Sequence, residues 1–261
     1  VVTGDDRNSS DGTIYAAATT VAFYAFCFAI ANGGMSLSQT WTIFTYAAVI
    51  TAVLLAVSFR FLNKYIVFLA FGLTWATFGS WFVNRYTVEE HFTLASIFAA
   101  VFFGVFYVSA LIHRLLKEDL SMIENSGLVL TNSFLFYGVG YRVLNSDEST
   151  AGFLGLFTAA HSALHLAVAV MVSRIRASAV DVVQVLTVLV LTFASIAIPV
   201  QLDGNQVTMA WSVEAAVLFW FGRARDVRLF ERYSYPVMLL ATGSMFFDWG
   251  AAYFNRTDFT S

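Results

Sequence analysis

The sequence predicts an all-α fold, a polytopic transmembrane helical bundle of about nine spans. Two observations predict it: 59% of the 261 residues are hydrophobic, and only 12% are charged. An ordinary soluble domain carries about 25% charged residues, so this chain has too few polar side chains to cover a water-facing fold. The mean hydropathy of +0.72 indicates the same class. With a net charge of only −3, these values exclude a soluble enzyme, a nucleic-acid binder and a disordered chain.

The spans follow from the apolar runs between polar breaks, because a bilayer core of about 30 Å needs roughly 17 to 25 apolar residues per helix. The predicted spans are 13–32, 40–59, 65–83, 92–113, 121–141, 152–172, 179–199, 207–222 and 233–252. The eighth is short, and the fifth contains Glu124, Asn125 and Asn132. Because the loops are short, we expect sequential helices to pack as antiparallel neighbours.

The domain organisation follows from the same pattern. Residues 1–12 form a polar N-terminal tail or linker, 13–252 a single transmembrane domain, and 253–261 a polar C-terminal tail. The chain opens with Val1 rather than Met and has no signal-peptide pattern. We therefore expect it to be one part of a longer polypeptide.

Orientation follows from the positive charges, which gather in cytoplasmic loops. Nine spans place eleven of the fourteen Lys and Arg residues on the side of the N-terminus. The other side receives only Arg85, Arg142 and Arg256. The sequence therefore predicts a cytoplasmic N-terminus and an outer C-terminus.

Two histidines lie inside the sixth span, where ionisable residues are costly and are candidates for function. His161 and His165 are spaced i, i+4 and share one helix face near mid-membrane. Three interpretations are open: neutral imidazoles bonded to neighbouring helices, a proton or substrate site, or part of a metal site. A metal would need further ligands, and only Glu214 and Asn132 are predicted at that depth.

Carboxylates form the second set of candidates. Glu214 lies near the middle of the eighth span, where it needs a partner. That partner is either a histidine of the sixth span or a structural hydrogen bond. Asp181 and Asp248 lie near span ends, within reach of headgroup water. Glu124 lies one turn above the cytoplasmic surface beside Lys117, with which an interfacial ion pair is expected.

A helix break separates the seventh and eighth spans. Pro199 removes a backbone donor and is predicted to end the seventh helix. Asp203 and Gly204 form a turn signal, with Asp203 as a candidate helix cap. A break that dips into the bilayer must be buried in protein or line a wet cavity, as in many transporters. A simple surface turn is the alternative.

Several familiar classes lack their required residues. A retinal protein needs a mid-helix lysine, whereas Lys64 and Lys117 lie at span ends. No span carries an arginine ladder for voltage sensing, and the single Cys27 excludes an intramolecular disulfide. We predict no cofactor, no metal and no nucleic-acid partner. The expected partners are the lipid bilayer, further transmembrane segments of the same parent chain, or other envelope subunits.

The residues 194–222 read ASIAIPVQLDGNQVTMAWSVEAAVLFWFG. This stretch resembles the signature of a bacterial multi-pass family, the predicted membrane proteins called domain of unknown function 2339. The matching positions are Ile198, Pro199, Gln201, Leu202, Asp203, Gly204, Thr208, Trp211, Glu214, Trp220 and Gly222. The stretches NSFLFYGVGYRVL, LFTAAHSALHLAVA and MFFDW are also similar to the family's C-terminal part. At Asn205 and Gln206 the chain departs from the bulky aromatic residue that the family often has.

The resemblance implies a longer family protein with more spans ahead of Val1, and it implies no activity. Three functions are open. The favoured one is a transporter or flippase-like module of the bacterial inner (cytoplasmic) membrane, with a site between spans five to eight. The candidate substrate or proton-site residues are Glu214, His161, His165, Asp203, Gln201, Trp211 and Asn132, beside the break at Pro199 and Gly204.

Two alternatives come from other classes. A structural or scaffolding subunit of a cell-envelope complex would use its many Phe side chains for lipid and helix packing. An integral membrane enzyme acting on a lipid-linked substrate at the outer leaflet would use Asp203, with Glu89 or Asp147, as acid and base.

Overall fold

The regular structure of the described residues is entirely helical. The computed structural model describes residues 4–60, 64–117, 121–176, 178–202 and 204–254, and side chains within 12–60, 64–116, 121–176, 178–202 and 204–250. The helices are α1 (Gly4–Asn32), α2 (Leu37–Arg60), α3 (Tyr65–Arg85), α4 (Val88–Ile112) with a π-helical turn (His113–Lys117), α5 (Met122–Asn145), α6 (Glu148–Ala151), α7 (Leu154–Ile175), α8 (Val180–Gln201), α9 (Asn205–Ala224) and α10 (Arg228–Phe254). The all-α prediction is confirmed for these residues.

Among the described residues, six helices are long and apolar enough to cross a membrane. They are α1 to α4, α7 and α8, so the chain is a multi-pass membrane protein in contact with the lipid bilayer. Helices α5, α9 and α10 coincide with three further predicted spans, but their polar residues lower their hydropathy. The count of nine spans therefore stays a prediction.

The ends of the chain differ in what is described. Helix α1 begins at Gly4, so most of the expected polar N-terminal tail continues the first helix. Residues 1–3 and 255–261 lie outside the described residues. Most of the expected C-terminal tail, 253–261, is therefore not described.

The helices cluster into two compact units, Val1–Ala151 and Gly152–Ser261. In the first unit, α1 packs mainly on α3, α2 packs on both α3 and α4, and α4 packs on α5. The expectation of sequential neighbours is therefore right for α4 and α5 but wrong for α1 and α2, which touch only slightly.

A buried hydroxyl cluster explains why α1 lies against α3. The Tyr24 hydroxyl of α1 bonds to Thr51 of α2 and lies 2.7 Å from Thr74 Oγ1 of α3. All three side chains are buried. Bonds of this kind between helices help to hold membrane bundles together, because lipid offers no replacement partner.

Aromatic rings fill the core between α2, α3 and α4. The ring of Phe44 lies 5.1 Å from Trp81, 5.4 Å from Phe78 and 6.4 Å from Phe102, in edge-to-face arrangements. Such pairs are favourable beyond the area that they bury. The abundant Phe of the sequence thus serves helix packing in this unit.

The second unit consists of two helical hairpins. Helix α7 packs closely along α8, and α9 packs closely along α10, whereas α8 and α9 touch over a short stretch only. The absence of a side chain at Gly222 allows the second hairpin to close tightly, since a Cβ there would lie 2.5 Å from the backbone nitrogen of Glu231.

Asn132, a candidate site residue, joins three helices of the first unit. Its Nδ2 donates to the Phe103 carbonyl at 2.9 Å, and its Oδ1 accepts from Trp75 Nε1 at 3.1 Å. The side chain is fully buried. Asn132 therefore links α5 to both α3 and α4.

Replacing Asn132 with Leu should destabilise the protein by about 1–2 kcal/mol, because it leaves the buried Trp75 Nε1–H without an acceptor. The measurement is unfolding in mixed micelles of increasing SDS fraction. Asn145→Leu, the same change at an exposed position of the same helix, is the control and should cost little. Equal losses for both variants would contradict this role of Asn132.

Candidate functional site

A carbonyl without a helical donor lies at the centre of the second unit. In an α-helix the N–H of residue 199 would bond to the carbonyl of residue 195, and Pro199 has no N–H. The Ser195 carbonyl instead accepts from Trp211 Nε1 of α9 at 3.0 Å. The sequence predicts that Pro199 ends this helix, but α8 continues to Gln201. The helix tolerates the proline because a side chain of α9 replaces the missing donor.

The side chain of Ser195 makes a second bond to α9. Ser195 Oγ donates to Glu214 Oε1 at 2.7 Å. Trp211 and Glu214 are three residues apart and therefore share one face of α9. We call these three residues the Ser195 junction. Beside it, the Tyr233 hydroxyl of α10 donates to Thr192 Oγ1 of α8 at 3.0 Å.

The other carboxyl oxygen of Glu214 has a different environment. Its Oε2 atom is buried and accepts no hydrogen bond from the described residues. A buried polar atom without a partner is uncommon and calls for a physical explanation, such as a proton, a water or an ion that it receives in another state. Glu214 is thus held by one oxygen and open to a new partner at the other.

His161 and His165 pack against each other and against α8. Their Nε2 atoms are 3.3 Å apart, so one ring donates and the other accepts. The Phe193 ring lies 4.4 Å from His161 and 5.8 Å from His165, measured between ring centroids. Both histidines are buried.

Helix α8 separates the histidine pair from Glu214. Phe193 contacts the histidines and Ser195 contacts Glu214. A step of two residues along a helix is a rotation of about 200°, so the side chains of Phe193 and Ser195 point to opposite faces of α8. Of the two partners that the sequence leaves open for Glu214, the structure has the structural hydrogen bond and not the histidine. Within the described part of the chain, no group of three or more His, Cys, Asp or Glu residues is placed to hold a metal ion.

The break between α8 and α9 is short. The Leu202 N–H closes the helix on the Ile198 carbonyl at 2.8 Å. Gly204 has a φ of +53°, a conformation that favours glycine. The Gln201 side chain lies over Gly155 at the start of α7, where a Cβ would collide with it. Gln201 therefore belongs to the end of the α7–α8 hairpin, and Asp203 lies outside the described residues.

A second polar group lies between α9 and α10, near the break. Thr208 Oγ1 is 2.7 Å from Ser244 Oγ and 3.0 Å from Asp248 Oδ2. Thr208 has a single hydroxyl proton, and a carboxylate is a stronger acceptor than a hydroxyl group. The three side chains are half-buried, and Asp248 lies beside a groove of about 440 Å³.

The remaining carboxylates have local roles in the first unit. Glu124 pairs with Lys64 at 2.8 Å and closes a capping box with Ser121. The sequence had indicated Lys117 as the partner, and the side chain of Lys117 lies outside the described residues. Asp147 Oδ1 accepts from the Ser149 backbone N–H at 2.9 Å.

Sequence reasoning identified Glu214, Trp211 and Pro199 as candidates but missed Ser195. The hydroxyl of Ser195 bonds to Glu214, and its carbonyl, which Pro199 leaves without a donor, bonds to Trp211. One signal was available: Ser195 is the residue four positions before a proline inside an apolar helix, so its carbonyl lacks a helical donor. Tyr233 and Ser244 carry no comparable signal, because nothing in the spacing relates them to their partners, which are 41 and 36 positions away.

A double-mutant cycle distinguishes the observed bond between Glu214 and Ser195 from a pairing of Glu214 with His161. Ser195→Ala combined with Glu214→Gln should show a coupling energy of about 1 kcal/mol in unfolding, because the two side chains bond directly. His161→Ala combined with Glu214→Gln should be additive to within about 0.5 kcal/mol. A coupling with His161 as large as that with Ser195 would contradict the separation by α8.

The comparisons agree with the signature described above. No curated protein and no solved structure matches the chain. The family described as "Predicted membrane protein (DUF2339)" matches residues 11–256, which include the Ser195 junction and the Thr208–Asp248 pair. The chain therefore belongs to this family of predicted membrane proteins.

Proposed function

We propose that this chain is a transporter or flippase-like module of the bacterial inner membrane, in which Glu214 is the proton-binding group. The observation that carries the proposal is the narrow, polar contact between the two hairpins of the second unit. Helices within each hairpin pack closely, while α8 and α9 touch over a short stretch. The Ser195 junction supplies two of the side-chain bonds of that contact.

Protonation of Glu214 changes the strength of this contact. An ionised carboxylate is a strong acceptor for Ser195 Oγ, since charge-assisted bonds are about twice as strong as neutral ones. A protonated Glu214 accepts less strongly and gains a donor at Oε2, where the described residues offer no acceptor. Uptake of a proton therefore loosens the hold of α8 on α9.

The segment between the hairpins allows them to move. Leu202 and Gly204 are not helical, and Gly204 has a positive φ. Short irregular segments at helix ends commonly act as hinges between rigid elements. Rocking of one packed element against another around a fixed site is a common basis for alternating access. The hairpins α7–α8 and α9–α10 are the elements that we expect to rock.

The proposal includes nine spans with a cytoplasmic N-terminus. Contacts in the first unit support this topology, because they join helix ends that it assigns to one side. Lys64 meets Glu124 at the proposed cytoplasmic side. Arg85 donates to the Asn32 carbonyl at 2.5 Å, and Tyr86 lies 2.9 Å from Ser146, at the proposed outer side.

A scaffolding subunit is the second candidate function. The first unit favours it, because buried polar side chains such as Tyr24 and Asn132 bond to neighbouring helices. A scaffold predicts that Glu214 only strengthens packing. The lipid-acting enzyme has less support, because Asp147, one of its candidate residues, caps a turn.

The proposal predicts a pH-dependent distance between the hairpins. Nitroxide labels at Leu166→Cys in α7 and Val217→Cys in α9, both exposed positions, would be placed in a Cys27→Ser background in lipid nanodiscs. Pulsed electron paramagnetic resonance should show a shift of the label distance when the buffer is made acidic. Glu214→Gln, which is neutral at every pH, should keep the acidic distance throughout.

Glu231→Gln is the matched control, since Glu231 lies in the first turn of α10 and pairs with Arg223 at 3.3 Å. It should keep the pH response. A response that survives in Glu214→Gln would contradict the assignment of the proton site. No response in the unsubstituted chain, with proton flux into liposomes equal to that of protein-free liposomes, would favour the scaffold.

A further inference from the structure

The outer surface of the α9–α10 hairpin is strongly apolar. Val213, Leu239 and Phe247 are 63%, 73% and 78% exposed, and Trp220 is 68% exposed. Several large apolar side chains this exposed on one hairpin indicate an interaction site or a membrane contact. In a multi-pass membrane protein, such exposed apolar side chains contact lipid. The hairpin therefore presents its surface to the bilayer.

The length of α10 places Asp248 near a membrane surface. The basic start of the helix carries Arg228 and Arg232. Twenty residues separate Arg228 from Asp248, about 30 Å at 1.5 Å per residue. That distance equals the thickness of the hydrocarbon core, about 30 Å. With the arginines at one interface, Asp248 lies at the headgroup level of the other.

Two grooves meet at Asp248. One has a volume of about 440 Å³ and is lined by Gly204, Val207, Trp211, Leu239, Leu240, Gly243, Ser244, Phe247 and Asp248. The other has a volume of about 660 Å³ and is lined by Asn205, Thr208, Met209, Met245, Asp248 and Trp249. The walls of both are mainly apolar. A carboxylate between two apolar grooves matches a molecule with a cationic head and two apolar chains.

The carboxylate itself is oriented and half open. Asp248 Oδ2 accepts from Thr208. Its Oδ1 takes no hydrogen bond from the residues that the structure describes, so this oxygen is available to a donor. Trp211 and Phe247 line the same groove, and aromatic rings attract cations. Charge and surroundings both favour an ammonium group over a phosphate or carboxylate.

We propose that these grooves bind an ethanolamine phospholipid of the surrounding bilayer. Its primary ammonium group donates to Asp248, and its two acyl chains lie in the two grooves. The ligand comes from the bilayer because the walls of the grooves face lipid. A primary ammonium is favoured over a choline group because choline has no N–H to donate to the carboxylate.

The test is native mass spectrometry of the full chain titrated with dioleoyl lipids that carry ethanolamine, choline or glycerol headgroups. The unsubstituted chain should bind the ethanolamine lipid most tightly. Asp248→Asn should weaken that binding about tenfold, the effect of losing a charge-assisted hydrogen bond. Asp181→Asn, a carboxylate in the first turn of α8, is the matched control and should leave binding unchanged.

A charge reversal gives a readout that a misfolded variant cannot mimic. Asp248→Lys should lose the preference for ethanolamine lipid and gain binding of the anionic glycerol lipid. Unchanged ethanolamine binding in Asp248→Asn, or equal binding of the choline lipid by the unsubstituted chain, would overturn the proposal. Displacement of the lipid by millimolar free ethanolamine would also overturn it, because the headgroup alone would then be the ligand.

Discussion

The second unit depends on one carbonyl oxygen. Pro199 leaves the Ser195 carbonyl without its helical donor, and inside a membrane such a group must find a partner in the protein. Trp211 supplies the donor, which fixes the height at which α9 meets α8. Glu214, three residues later on the same face, is thereby placed against Ser195 Oγ. Pro199, Trp211 and Glu214, three matching positions of the signature, thus form one physical unit, and Ser195, which connects them, is not one of the matching positions.

The two units use polar side chains differently. In the interior of the first, buried hydroxyl and amide groups bond between helices, as Tyr24 and Asn132 do. These groups are neutral, and the ion pair of Lys64 and Glu124 lies at the helix ends. In the second, the contacts between helices include the carboxyl groups of Glu214 and Asp248. A carboxyl group has two charge states, so these contacts can be altered by a proton or a cation.

Helix positions were predictable from sequence, and helix partners were not. Apolar runs located the nine long helices of the described residues, six of which have the length and composition that a bilayer requires. Partners depend on which helix faces meet, and spacing along the chain carries no such information. For Glu214 the sequence leaves a histidine and a structural hydrogen bond open, and the side chain bonds to Ser195. For Glu124 the sequence indicates Lys117, and the side chain pairs with Lys64. The sequence predicts that α8 ends at Pro199, because it gives no sign that the Trp211 side chain donates to the free Ser195 carbonyl.

The order of helix packing has a consequence for biosynthesis. The hairpins α7–α8 and α9–α10 join helices that are consecutive in the chain, so each can close as soon as its second helix has been made. In the first unit, α1 packs mainly on α3, and the Tyr24 hydroxyl reaches Thr74 of that helix. Before α3 has inserted, the Tyr24 cluster is therefore incomplete, and α1 lacks its main partner among the described helices.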